Sequence, residues 1–453
     1  MVEQADVIVL GMGPGGEHVA GRLAEEGLDV VGIEGRLLGG ECPYFGCIPS
    51  KMMLRAAALL ADARRVPGIA GTATATGDWS LVAKRIRSEA TDDWDDRVAV
   101  ERFESKGGRF VRGWGRLAGP RRVAVAGREF EAARAVVINT GTEPWVPPIP
   151  GLSEVGYWTN REAIQATEVP ASLVVLGGGA VGVELGQAFA RFGSEVSVLE
   201  AGPRLLPGEE PESGQLLKDA LEADAMRIVI GTEVNSVSLN GSGIALELAG
   251  GDKIVGAQLL VATGRRSDLR ALGVGSVGLD ETARAIAVDG MCRAAEGLWA
   301  IGDITGVGAF THISMYQGEI VIADILGQRF TPADYRALPR VTFTDPEIGS
   351  VGLSEAAARA LKLNVRTGYA DLASSARGWI QKVDNAGFIK LIEDADRGVL
   401  VGATSAGPCG GEVLAMLTLA VHASVPTAVL STMIYAYPTF HRAVEVAVKD
   451  LSG

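Results

Sequence analysis

Apolar residues come in short blocks along this chain, and each block runs into a cluster of glycines. Asp6-Val-Ile-Val-Leu10 leads into Gly11-Met-Gly13-Pro-Gly-Gly16, then a stretch with helical spacing, then Val30-Val-Gly-Ile-Glu34. The same order returns as Leu173-Val-Val-Leu176, Gly177 with Gly179 and Gly182, a second helical stretch, and Val196-Ser-Val-Leu-Glu200. Each copy predicts a strand, a tight turn opening a helix, and a second strand ending on glutamate. Val136-Val-Ile-Asn-Thr140-Gly141 and Leu259-Leu-Val-Ala-Thr-Gly264 are further strand-then-glycine segments, each expected to carry the chain back across a domain boundary. Another strand is expected at Gly297-Leu-Trp-Ala-Ile-Gly302-Asp303. Helical spacing predicts a helix over residues 48–61 and a charged helical segment over 80–106. From about residue 338 the pattern changes to short alternating strands at 341–344, 387–393 and 399–404, with helices at 355–361 and 411–422. That change predicts a separate α+β domain built on an antiparallel sheet.

The repeated unit carries chemistry. Glu34 and Glu200 each lie 23 positions after the first glycine of their turn. The glycines permit a tight turn and close approach of a pyrophosphate, the helix N-terminus favours its negative charge, and the carboxylate suits an adenosine ribose. Two such units predict two bound dinucleotides. Asp303, at a strand tip beside a helix start, suits ribityl hydroxyls or a pyrophosphate-bound water or ion.

Length and composition narrow the classes. A chain of 453 residues suggests three domains. It is 47% hydrophobic with 60 glycines, which suits α/β architecture, and its formal charge of −13 argues against a nucleic-acid partner. Four cysteines exclude a secreted disulfide scaffold. The opening lacks the pattern of a signal peptide, and no apolar run reaches the length of a membrane span. A cytoplasmic protein without a membrane partner is expected. The cluster Asp92-Asp-Trp-Asp-Asp96 has no His or Cys beside it and reads as a solvated helix face, so no metal site is expected.

Cys42 and Cys47, in Gly-Gly40-Glu-Cys42-Pro-Tyr-Phe-Gly-Cys47-Ile-Pro-Ser-Lys51, lie just downstream of the first turn. Cys47 opens the helix predicted at 48–61, where unpaired backbone N–H groups favour a thiolate. In isolation the pair reads equally as a static link or as two buried cysteines; beside a cofactor it reads as a redox pair. Cys292 and Cys409 read as packing residues. His18 and His422 read as ordinary, and His312, following Thr311, either lines the cofactor site or is ordinary too.

With these motifs, Glu184 and Phe343-Thr-Asp-Pro-Glu-Ile-Gly-Ser-Val-Gly352, the chain resembles the pyridine nucleotide–disulfide oxidoreductase family over nearly its whole length. The resemblance implies an α/β fold of two Rossmann-like nucleotide-binding domains, for FAD and NAD(P), plus a C-terminal α+β dimerisation domain. The implied division is 1–150 and 268–337 for FAD, 151–267 for NAD(P), and 338–453 for dimerisation. It places FAD on Gly11, Gly13, Gly16, Glu34, Gly40, Lys51, Gly115, Thr140, Gly141, Asp303, Ala309 and Thr311. The nicotinamide dinucleotide falls to Gly177, Gly179, Gly182, Glu184 and Glu200, and Gly264 also falls among the cofactor positions. It makes Cys42–Cys47 the redox disulfide, with Cys47 against the flavin and Cys42 attacking the substrate, and it pairs Lys51 with Glu184 near the flavin N5.

One segment departs from the family. The family's His-Pro-Thr-x-x-Glu, which supplies a base across the dimer interface, is here Tyr437-Pro-Thr-Phe-His441-Arg442. A phenol ionises near pH 10 and is a poor base at neutrality. His441 reads as a surface or interface histidine, with a replacement base as the alternative, and Arg442 suits a thiolate, an anionic substrate or an interface ion pair. Mercuric reductases also lack the His but carry a C-terminal cysteine pair, which is not expected here. Glu200 favours NADH over NADPH, although Arg204 lies close enough to reach a 2′-phosphate. The expected activity is electron transfer from NAD(P)H through FAD and Cys42–Cys47 to a small disulfide, thiol or other acceptor, in a homodimer. The alternatives are a diaphorase-type reductase of quinones and a non-catalytic FAD-binding scaffold.

Overall fold

The computed structural model describes residues 2–241 and 243–451. The chain forms two compact units: Met1–Ser50, Ala83–Trp145 and Gly264–Asp334 make the first, and Lys51–Val82, Val146–Thr263 and Tyr335–Gly453 the second.

The first unit is built on an eight-stranded sheet. Val2–Leu10 sits at its centre, parallel to Val30–Glu34 on one side and Arg128–Ile138 on the other. Arg109–Arg112 extends one edge, and Leu298–Ala300 with Arg293–Ala295 the other. Successive residues of the central strand serve opposite cores. Ile8 and Leu10 pack with Phe130, Val136 and Leu269. Val7 and Val9 pack with Val19, Leu23 and Ile320 from the helices Pro14–Glu25 and Thr311–Ile325. A parallel sheet covered on both faces needs such uniformly apolar strands, and that is why the apolar blocks were readable.

The second unit holds a four-stranded parallel sheet, in the order Arg227–Ile230, Glu195–Glu200, Ser172–Leu176, Gln258–Val261. It also holds a three-stranded antiparallel sheet and the five-stranded antiparallel sheet of the C-terminal region, with Gly410–His422 and Ala443–Asp450 packed on the latter. Among the described residues no helix is long and apolar enough to cross a membrane.

Several local expectations need correction. The helix expected at 48–61 runs Cys47–Arg65. The helical segment expected over 80–106 is broken: Trp79–Arg85 passes into a π-helical turn, Ile86–Ala90, and helix resumes only at Arg97–Ser105. The acidic cluster is therefore no helix face. Asp92, Asp93 and Trp94 take left-handed backbone (φ 46°, 57° and 58°), and Asp96 is buried, accepting from Leu38 N (2.6 Å) and Arg112 (2.5 Å). Cys292 is buried as expected, whereas Cys409 is exposed at the start of Gly410–His422, so it is not a packing residue.

A charged cluster fastens the second unit internally. Arg191, almost fully buried, pairs with Asp224 (2.9 Å) and Asp345 (2.8 Å), and Arg65 with Asp345 (2.6 Å) and Asp384 (2.9 Å). Burial, and then the neighbouring charge of Asp345, push Asp384 up to about 6. A carboxyl whose pKa is raised on folding stabilises the fold below its ordinary pKa, and that contribution is lost as pH rises through the raised value. Wild-type stability is thus expected to fall relative to Asp384→Asn as pH rises from about 4 to about 6, by at most about 3 kcal/mol. Thermal melts of both proteins across that range check the sign.

Candidate functional site

The two glycine turns are built alike to the level of single atoms. Gly11 has φ 92° and Gly177 φ 113°. A Cβ at Gly11 would lie 2.4 Å from Asn139 O, and one at Gly177 2.4 Å from Ala262 O. Those carbonyls belong to the strand-then-glycine segments at 136–141 and 259–264, so each segment backs the turn of its own repeat. The glutamates also correspond. Glu34 accepts Met12 N through Oε2 (2.9 Å) and Arg36 N through Oε1 (2.8 Å). Glu200 accepts Gly178 N through Oε2 (2.7 Å) and Gly202 N through Oε1 (2.6 Å). Each carboxylate thus braces its turn from below, with lone pairs remaining for ribose hydroxyls. Burial raises the pKa of Glu34 against these donors.

The helices that follow start without a side-chain cap. Gly13 and Gly179 are the N-cap residues of Pro14–Glu25 and Ala180–Arg191, and neither supplies a capping bond. Uncapped backbone N–H groups over a surface without side chains fit a pyrophosphate. A Cβ at Gly179 would meet nothing within 4 Å, which marks open space there. The residues present therefore fit two dinucleotides. In the first unit Gly40 approaches Gly13, where a Cβ would lie 2.8 Å from the Gly13 Cα, and Gly115 packs on Leu10. Thr140 and Gly141 follow Arg128–Ile138, and Ala309 precedes the helix Thr311–Ile325. Gly264 belongs to the first unit, not to the unit of the second repeat, and accepts there from Trp145 N (2.9 Å).

Cys42 and Cys47 are free thiols in this structure. Cys42 lies in the short helix Glu41–Phe45 and Cys47 opens Cys47–Arg65. The pair shares a hydrogen bond, which together with burial pushes the Cys42 thiol well above its ordinary range, while Thr311 acts in the opposite direction. Cys47 sits at a helix start, where partial positive charge favours a thiolate. The Thr311 hydroxyl lies 3.3 Å from Cys47 Sγ. Tyr44, between the cysteines, is no base: burial and then Asp96 push it up to about 12. A cavity of about 370 Å³ borders this turn at Pro43 and Tyr44.

Other members of the site were not legible in the sequence. Asp303, whose pKa burial raises, accepts from Thr142 Oγ1 (2.8 Å). Thr142 in turn accepts from Arg265 Nε (2.9 Å), and Arg265 lies 3.7 Å from Glu41, the neighbour of Cys42. The Asn139 carboxamide sits 2.9 Å from both Gly16 N and Ser314 Oγ. These contacts join segments far apart in sequence, and no local motif announces them. His312 is exposed and stacks on Phe310 (centroids 5.2 Å).

In the second unit Lys51 Nζ lies 2.8 Å from Glu184 Oε2 and 4.6 Å from the centre of the Phe343 ring, and Glu184 Oε1 accepts Phe343 N (2.8 Å). Glu184 is buried, while Lys51 keeps 36% of its side chain exposed, so a fixed cation points outward from this pair. Near the C-terminus, Tyr437 is 70% exposed, and its ring faces the Arg442 guanidinium at 5.4 Å. His441 turns instead toward Thr439 Oγ1 (3.4 Å) and the Tyr435 ring. The structure therefore groups Tyr437 with Arg442, not with His441.

The sequence model of the pyridine nucleotide-disulphide oxidoreductase family matches residues 5–318, and that of its dimerisation domain residues 338–448. Dihydrolipoyl dehydrogenase 3 of Pseudomonas aeruginosa is 33% identical over 477 aligned residues, covering 100% of this chain and 99% of the relative. Mercuric reductase of Staphylococcus aureus is 30% identical, covering 99% of this chain and 83% of the relative. Among solved structures, the HOCl-induced flavoprotein disulfide reductase RclA of Escherichia coli superposes with TM-score 0.84 at 26% identity, covering 99% of both chains. LpdA of Mycobacterium tuberculosis, at 24% identity, shares the fold with TM-score 0.86 over 99% of this chain and 100% of its own.

A methyl group at Gly11 has only backbone to displace. Gly11→Ala is expected to leave the purified protein with less than a tenth of the wild-type flavin, read from its visible absorbance per chain. Gly177→Ala is expected to keep its flavin and lose reduction by the nicotinamide dinucleotide.

Proposed function

The chain belongs to the pyridine nucleotide-disulphide oxidoreductase family, and from that premise we propose that it passes electrons from NADH through FAD to Cys42 and Cys47, and on to a disulfide acceptor. The family uses FAD and NAD(P)H, and the matched dimerisation domain supports a homodimer. The observation that carries the proposal is the hydrogen-bonded pair of thiols at a helix start, next to the Thr311 hydroxyl. The first glycine turn with Glu34 and Asp303 holds FAD, and the second turn with Glu200 holds NADH. Bound there, FAD supplies the two-electron step between nicotinamide and disulfide. Lys51, held by Glu184, supplies a positive charge one helical turn past Cys47.

The sulfur chemistry balances over one cycle. Cys42 loses its proton and attacks one acceptor sulfur; the acceptor S–S bond breaks and its second sulfur leaves as a thiolate. Cys47 then attacks Cys42 Sγ, forming the Cys42–Cys47 disulfide and releasing the other acceptor sulfur. One hydride from NADH and one proton from solvent restore the pair for each disulfide cleaved to two thiols.

Two observations shape the substrates. The Arg204 guanidinium is turned onto the carbonyls of Pro207 (2.9 Å) and Glu209 (3.3 Å), away from any role as a phosphate anchor, and that supports NADH. Tyr437 stands where the family has an imidazole, so the leaving sulfur departs as a thiolate, and acidic leaving thiols are favoured. The exposed apolar residues Ile434 (96%) and Leu419 (64%) of the C-terminal region support a homodimer contact there.

Anaerobic titration with NADH is expected to reduce flavin and pair together. Cys42→Ser is expected to abolish disulfide reduction by at least about 1,000-fold while quinones still reoxidise the flavin; disulfide turnover by that variant would sink the proposal. Steady-state kcat/KM is expected to be at least tenfold higher with NADH than with NADPH. Across a series of acceptors the rate is expected to rise steeply as the leaving thiol becomes more acidic, so aromatic disulfides outrun alkyl ones.

A further inference from the structure

The turn between the two cysteines is gripped from outside. Glu41–Phe45 is a helix of five residues that ends at Gly46 without a capping bond. Carbonyls in the last turn of a helix need partners from elsewhere. Tyr44 O receives one from the Trp94 indole, whose Nε1–H donates at 3.2 Å. The adjacent ring, Phe45, lies nearly parallel to Trp94, with centroids 6.5 Å apart and planes at 22°. The Arg87 guanidinium also sits over the indole at 5.8 Å.

Holding Trp94 there is costly. Three consecutive non-glycine residues, Asp92, Asp93 and Trp94, lie in the left-handed region, directly after a π-helical turn. Each such residue costs on the order of 1 kcal/mol or more, and it persists only where surrounding contacts over-determine it. Those contacts are present. Buried Thr91 donates to Ile86 O (3.2 Å) and accepts Trp94 N (3.4 Å). Asp96 ties the far end of the loop to Leu38 N and Arg112. The loop is thus fastened on both sides and presents one side chain to the segment between the sulfurs.

We infer that Trp94 is a positioning residue that holds the inter-cysteine turn in its dithiol conformation and so raises the reduction potential of Cys42–Cys47. Closing the sulfur–sulfur bond draws residues 42 and 47 together and moves the backbone between them, where the indole is attached. The clamp is formed with both sulfurs as thiols, so it favours that state by as much as it differs between the two states. This rests on the pair cycling between thiol and disulfide, as proposed above.

The test is the midpoint potential of the pair in the FAD-bound protein, read by thiol trapping and mass spectrometry after equilibration in redox buffers. Trp94→Ala is expected to shift the dithiol–disulfide equilibrium about tenfold toward disulfide, a fall of about 30 mV. Trp94→Phe keeps a ring and loses only the N–H, and a shift of about threefold in the same direction is expected. Flavin content and far-ultraviolet circular dichroism establish that each variant is folded. A wild-type potential in either folded variant overturns the inference, as does a shift toward dithiol. A wild-type pair that never titrates defeats the electron-transfer proposal itself, which keeps the two failures distinct.

Discussion

The two glycine turns that open the helices Pro14–Glu25 and Ala180–Arg191 are the feature on which this molecule depends. An α-helix begins with backbone N–H groups that have no partner in the helix, and most sequences cover them with Ser, Thr, Asp or Asn. Four helices of this chain follow that rule. Thr159, Asp268, Ser354 and Ser375 each cap the helix they precede. At Pro14–Glu25, Ala180–Arg191 and Thr311–Ile325 the preceding residues are Gly13, Gly179 and Phe310, and none supplies a cap. Cys47 itself opens a fourth helix. Helix starts such as these carry partial positive charge that suits phosphates and thiolates.

The duplicated unit shows how much geometry a short motif fixes. A tight turn that must present N–H groups outward needs a carbonyl behind its first glycine and a carboxylate under its next peptide. Both copies solve this identically, although most positions outside the shared glycines and the terminal glutamate differ in sequence. The backing segments, Asn139-Thr-Gly and Ala262-Thr-Gly, differ at the residue that makes the contact, because it does so through its backbone. A side chain there is free to take other work. Asn139 uses its carboxamide to reach Gly16 and Ser314, and the second repeat has no counterpart at Ala262.

Legibility follows the range of the interaction. The buried parallel strands, the two turns and the position of Cys47 at a helix start were readable because a local pattern dictates each of them. Asp96 was misread because charge density predicts solvent only when no buried donor is near, and Leu38 N and Arg112 are brought to it by tertiary structure. The break in the helix over 80–106 was equally invisible: left-handed Asp92, Asp93 and Trp94 run against their own preference, and contacts elsewhere hold them. Cys409 reads as a packing residue in the sequence because a lone cysteine is most often buried, yet at the start of Gly410–His422 it is exposed. The chain from Asp303 through Thr142 and Arg265 to Glu41 spans distant segments and left no trace in any one of them.

Within the proposed chemistry, the C-terminal segment around Tyr437 bears on where charge develops. Tyr437 faces Arg442, and Arg442 pairs with Glu445 at 3.2 Å and donates to Tyr435 O. The residues of this segment are therefore partnered among themselves. Oxidising a dithiol substrate needs a proton acceptor to generate the attacking thiolate, and an imidazole serves that purpose near neutrality. Reducing a disulfide also needs an attacking thiolate, that of Cys42, and in addition negative charge develops on the leaving sulfur, where donors stabilise it. A phenol beside a guanidinium offers donors and positive charge, with no base of neutral pKa between them. Within the proposed chemistry, this donor-rich segment suits a leaving thiolate, whereas Cys42 must first give up the proton that its hydrogen bond with Cys47 helps to hold.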